Sequence, residues 1–162
     1  VWLGANLLTA ILAAAAIGIF EATIEKVVAL AILMPIVASM GGIAGMQSLA
    51  LVIRSQATNQ IGESNSRLLI IKESLIGVLN GILWSSIVAV AVYLWFDSVF
   101  LGTVIASALM INLIIGAISG VSLPLILKKM DIDPALAGGV ILTTITDIVG
   151  FISLLGVATI IM

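Results

Sequence analysis

The stretch VFLGTVIASALMINLIIGAISGVSLPLIL, residues 99–127, contains no charged side chain, and its few polar residues are scattered singly. Wound as a helix at 1.5 Å per residue it exceeds the roughly 30 Å hydrocarbon core of a bilayer. Barrel strands alternate apolar and polar positions over short segments, and this run does not alternate. Read outward from it, residues 134–161, 68–95, 27–53 and 1–20 are long apolar runs as well, with Lys72, Glu73 and Asp147 their only charged residues. The expectation is an all-α integral membrane protein, one transmembrane domain over residues 1–162, with five transmembrane helices per chain. Residues 21–26 and 96–98 read as tight turns, and 56–66 (QATNQIGESNS) as a polar loop. Asp133 followed by Pro134 reads as an N-cap with proline at the first helical position.

Composition agrees. The chain of 162 residues is 62% hydrophobic and 9% charged, with a mean hydropathy of +1.39. A soluble domain carries about a quarter of its residues as charges, so lipid must solvate most of this surface. The net charge of −2 gives no footing for nucleic acid. Cysteine and histidine are both missing, which excludes disulfides, thiolate and imidazole metal sites, and Ser-His or Cys-His catalysis. A bound metal must take oxygen ligands, which suits magnesium, manganese or calcium. No acid–base pair shares one depth, and an enzyme is not expected. The start at Val1-Trp2-Leu3-Gly4, without Met and without a small-residue cleavage site after it, reads as that of a fragment or processed chain.

Lysine and arginine placement sets the expected orientation. Arg54, Arg67 and Lys72 lie around one connection and Lys128 and Lys129 at another, against Lys26 alone on the other side. The positive-inside rule puts the five in the cytoplasm, the amino end inside and the carboxyl end outside a cell membrane.

Asp147 is the residue out of place. It lies fourteen positions after Asp133, about 21 Å along a helix, near the bilayer midplane. An ionised Asp there costs at least about 2.5 kcal/mol and calls for a partner or water. No lysine or arginine lies at that depth. A protonated Asp bonded across helices is the bland reading; a cation or proton pathway is the other. Thr143, Thr144 and Gly150 are placed on its face by helical spacing, and Gly139 continues that face one turn lower. A second constellation is Pro35 with Gly41, Gly42 and Gly45, where the backbone lets a neighbour or an ion come close. Gly41-x-x-x-Gly45 reads equally as a helix-packing motif. Gln47 beside it lies within the membrane and is a further polar group in need of a partner. Gly77 with Gly81 and Gly116 with Gly120 read as packing pairs, and Asn80 and Asn112 as interhelical hydrogen bonders. Glu63, Arg67, Lys72 and Glu73 read as a solvated helix start.

Taken in order, these residues resemble the membrane domain of the MgtE family of magnesium channels and transporters. The likeness runs through Asn6-Leu7-Leu8-Thr9-Ala10, Phe20-Glu21, Pro35, Gly41-Gly42, Gly45, Gln47 and Arg54. It continues through Lys72-Glu73, Leu123-Pro124, Asp133-Pro134-Ala135, Thr146-Asp147 and Gly150. The resemblance implies a homodimer of five-helix subunits in the lipid bilayer, with the pore at the two-fold dimer interface. It implies that Asp147 from each chain holds a hydrated Mg2+, with Gly42 and Gly45 contacting it through the backbone and Gly139 and Thr143 lining its path. Family members carry cytoplasmic regulatory domains ahead of the first helix, and this sequence contains none. Two positions depart from the pattern. Ile43 stands where the family usually has Asn after Gly-Gly, and Gly139 where Asn is frequent. The function so implied is a channel or transporter for Mg2+, with Mn2+ and Ca2+ as competing ions. Proton- or sodium-coupled exchange and a non-conducting membrane scaffold are the alternatives.

Overall fold

A computed structural model describes residues 2–58 and 63–162 as helices joined by short turns, with no strand among the described residues. In chain order these are α1 (Trp2–Gly18), α2 (Glu21–Lys26), α3 (Ala29–Ala57), α4 (Glu63–Phe96), α5 (Val99–Lys129) and α6 (Pro134–Ile161). Four of them, α3 to α6, are long and apolar enough to cross a membrane. The first helix is apolar too, but its 17 residues reach only about 25 Å.

Two expectations about connections are corrected. Residues 21–26 form a short helix and not a tight turn. Its EATIEK sequence has strong helix formers, with Glu21 in the first turn and Lys26 in the last, both matched to the helix dipole. The polar stretch 56–66 is not all loop: α3 runs on to Ala57 and α4 already begins at Glu63, while 59–62 lie outside the described residues. Arg, Gln, Glu and Lys prolong a helix as well as Leu does. The loss of hydropathy therefore marks the edge of the membrane and not the end of the helix.

The α5–α6 corner shows how local chemistry closes a hairpin. Asp131 takes a left-handed φ of 56°. Ile132 N–H donates to Leu127 O (3.0 Å) and Asp131 N–H to Lys128 O (3.3 Å), the paired bonds of a Schellman ending. Asp133 then accepts from Ala135 N–H at 2.8 Å, with Pro134 opening α6 as expected.

The middle of the bundle is α5, which packs against α3, α4 and α6; half of its most apolar stretch is buried, against 22% for that of α4. α1 packs on α6. α2 is tied to α6 by a 2.8 Å bond between the Thr23 and Thr159 hydroxyls. The aliphatic core, built around Leu30, Leu33, Ile105, Leu109 and Leu154, lies where α3 and α5 begin and α4 and α6 end. Farther along, small residues replace it. A Cβ on Gly116 would stand 2.6 Å from Gly41 O, and one on Gly120 would run into Gly45 O. Gly41-x-x-x-Gly45 and Gly116-x-x-x-Gly120 thus interlock α3 with α5 at backbone contact. Gly77 and Gly81 do the same for α4, facing Ala117 and Met110 of α5. Among the described residues the backbones of α3 and α4 lie against α5 rather than against each other, and side chains bridge the wedge between them.

Candidate functional site

Asp147 sits at the middle of α6 and is partly buried. It opens onto a hollow of about 530 Å³ between α3 and α6, open along one side. The α3 wall presents Ser39, Gly42, Ile43, Met46 and Gln47, a stripe at helical spacing; the α6 wall presents Thr143 and Asp147, one turn apart. Close helix approach defines the hollow's inner edge, where a Cβ on Gly42 would be 3.7 Å from Thr146 Oγ1.

The threonines are oriented by their own helix. Thr143 Oγ1 donates to Gly139 O (3.0 Å) or Val140 O (3.1 Å), Thr144 Oγ1 to Val140 O (2.7 Å), and Thr146 Oγ1 to Leu142 O and Thr143 O (both 3.1 Å). With its proton so engaged, Thr143 offers the hollow an oxygen lone pair. The Asp147 carboxylate has no hydrogen-bond donor among the described residues. No group of three His, Cys, Asp or Glu side chains comes together among them either. A stripped cation would therefore lack a cage here, whereas a hydrated one needs only acceptors for its water protons.

The residues singled out from sequence fall in different places. Asp147, Thr143 and Gly42 line the hollow together. Gly45 is buried on the other side of α3, where a Cβ would meet Gly116 O and Leu142 Cδ1, both at 2.9 Å. Gly139 lies one turn before Thr143, and a Cβ there would be 3.5 Å from Met46 Cε. Gly150 packs against Asn112 and Val37. Asn112 is the interhelical bonder expected: its Nδ2 donates to Val37 O at 2.8 Å, while its buried Oδ1 has no partner.

Gln47 lies on the wall of the hollow, at the surface of the chain. One expectation is overturned. Glu73 is not a solvated helix start; it is 6% exposed and accepts a 2.8 Å bond from Ser48 Oγ. The early start of α4 places it well inside the helix and turns it toward α3. Ser39 and Met46 also line the hollow, though neither stands out in the sequence. Their i, i+3, i+7 relation to Gly42 was the available signal.

Fold and hollow together define a polytopic helical membrane protein with Asp147 at the middle of its last helix. The family model described as "MgtE: Divalent cation transporter" matches residues 34–157, and the chain belongs to that family. It is a family of transporters and not of enzymes. The "Magnesium transporter MgtE" of Bacillus subtilis (strain 168) is 37% identical over 98% of this chain and 35% of its own length. The protein of that name from Thermus thermophilus is 31% identical over 97% of this chain and 35% of its own length. That from Enterococcus faecalis is 28% identical over 99% of this chain and 36% of its own length. The chain thus spans about a third of these relatives.

Proposed function

We propose that this chain is a membrane domain that conducts hydrated Mg2+ through a pore formed by two copies, with Asp147 of each at its centre. The observation that carries the reading is a single carboxylate at mid-span, without a protein partner among the described residues, in a hollow open along one side. One carboxylate does not balance a divalent ion in a low-dielectric setting, whereas two across a two-fold axis do. The open side of each groove is the natural place for the second copy. Magnesium sheds water reluctantly, and a pair of carboxylates with hydroxyl and amide groups holds it through its hydration shell.

In this reading Asp147 is the principal ligand to the bound waters, and Thr143 and Gly42 flank it. Gly139 keeps the path beside Met46 wide, and Gly45 supports Gly42 by fixing α3 against α5. α1 completes five crossings, its short span accommodated by local thinning of the bilayer. The amino end is then cytoplasmic and the carboxyl end outside the cell membrane. The test is flux of Mg2+ into liposomes holding the purified chain. Entry down the magnesium gradient, unchanged when pH and sodium gradients are collapsed, is expected. Dependence on either gradient would replace conduction by exchange, and no flux at all would leave a scaffold.

A further inference from the structure

A second hollow, of about 220 Å³ and more enclosed, fills the wedge between α3 and α4 where both lean on α5. Its polar lining is Gln47, Ser48, Glu73 and Asn80, and its floor includes Gly77 and Ala117 of the glycine contact. We propose that this chamber is a second site for a hydrated divalent cation, in series with the Asp147 groove and separated from it by the Gln47 side chain.

Four observations converge. Glu73 is 6% exposed, and the one hydrogen bond its carboxylate receives among the described residues comes from a neutral hydroxyl. One such bond falls short of the cost of burying a carboxylate, which in general calls for a paired charge. Arg67 and Lys72, the nearest cations in sequence, are exposed. The charge is therefore left for a ligand in the chamber. All four polar side chains bring oxygen, the donor that hard divalent ions take. At about 30 Å³ per water, the volume admits roughly seven waters, room for an ion with its octahedral shell.

Position gives the chamber its role. Ser48 and Glu73 lie six residues from Arg54 and Arg67 respectively, and Ser48 six residues from Gly42. The chamber is thus about 9 Å from the basic end of the bundle and about 9 Å from the level of the groove. Gln47 lines both hollows, so its flexible side chain is the partition. Two weak sites in series let an ion leave each one readily, as conduction requires. A tie between α3 and α4 needs the Ser48–Glu73 bond but neither the void nor the two amides beside it.

The inference rests on the reading of the chain as a divalent-cation pathway, and its test separates the two. Mn2+ bound to the purified protein is counted by loss of the free-ion paramagnetic signal. Asp147→Asn should retain one ion per chain, and Glu73→Gln added to it should weaken that binding by about tenfold or more, the effect of about 1.4 kcal/mol. Glu73→Gln alone should keep the Asp147-dependent ion. Loss of all binding in Asp147→Asn would overturn the chamber and leave the groove standing. Binding that survives Asp147→Asn and vanishes with Glu73→Gln alone would overturn the groove instead. Should Glu73→Gln fail to fold, Gln47→Leu with Asn80→Leu keeps the Ser48–Glu73 bond; unchanged Mn2+ binding by that variant in the Asp147→Asn background would equally defeat the proposal.

Discussion

Asp147 and Glu73 are both acidic groups inside helical spans, yet only one of them stands out in the sequence. Asp147 is surrounded for more than a dozen residues on each side by uncharged ones, so its depth follows from counting along α6. Glu73 sits beside Lys72 and near Arg67 and Glu63, at the edge of an apolar run. Its burial comes from where α3 and α4 meet α5, a tertiary fact with no local signal. For Gln47 too the polarity is legible in the sequence, but not which side of α3 it faces. Ile43 faces the Asp147 groove with 56% of its surface exposed. An aliphatic side chain there gives no hydrogen bond to the waters of a bound ion, and so no reward for an intact magnesium shell. Ile43→Asn should raise the preference for Mg2+ over Ca2+ and Mn2+ by about tenfold, one added hydrogen bond of about 1.4 kcal/mol. Competition in a binding assay checks it, and an unchanged preference contradicts it. Stability should stay within about 0.5 kcal/mol, as for other surface substitutions.

At the scale of elements, helix existence was legible and helix ends were not. Hydropathy follows the solvent, whereas the backbone ladder follows propensity and caps; hence α3 and α4 outrun their apolar windows. The ends that did follow from sequence are those fixed by a specific side chain, as at Asp133 and Pro134. The small-residue pairs were legible as packing motifs, but their partners were not, since spacing alone does not say which helix is faced. The α3–α5 contact can be tested directly. Gly120→Ala gains helix propensity of about 1 kcal/mol, but its Cβ would meet Gly45 O and stand 2.9 Å from Ser48 Cβ. Backbone cannot yield as a side-chain tip does, so a net loss of about 1–2 kcal/mol is expected, within the usual cost of overpacking. Gly156→Ala is the control, because nothing lies nearer than Phe20 Cζ at 3.9 Å; it should be neutral or stabilising by up to about 1 kcal/mol. Thermal unfolding in detergent reads both, and equal behaviour of the two would contradict the close contact.

Across the whole molecule, the two halves of the bundle differ in kind. One end is closed by aliphatic packing around Leu33, Ile105 and Leu154. Mid-span and beyond, toward the Arg54 end, lie the glycine contact, Asn112, both acidic groups and both hollows. The apolar exterior, including Leu79, Leu94 and Trp95, meets lipid. Among the described residues, only Asp147 places a charge at the middle of a long apolar helix and on a groove open to the outside of the chain, which is why a second copy is proposed to cover it. The most direct test is Mg2+ flux in liposomes through Asp147→Asn, which keeps the shape of the side chain and removes its charge, with chemical crosslinking confirming that two chains still associate. Flux at the background of empty liposomes, from an intact dimer, is the expected result; undiminished flux would show that the Asp147 carboxylate is not where the ion is held.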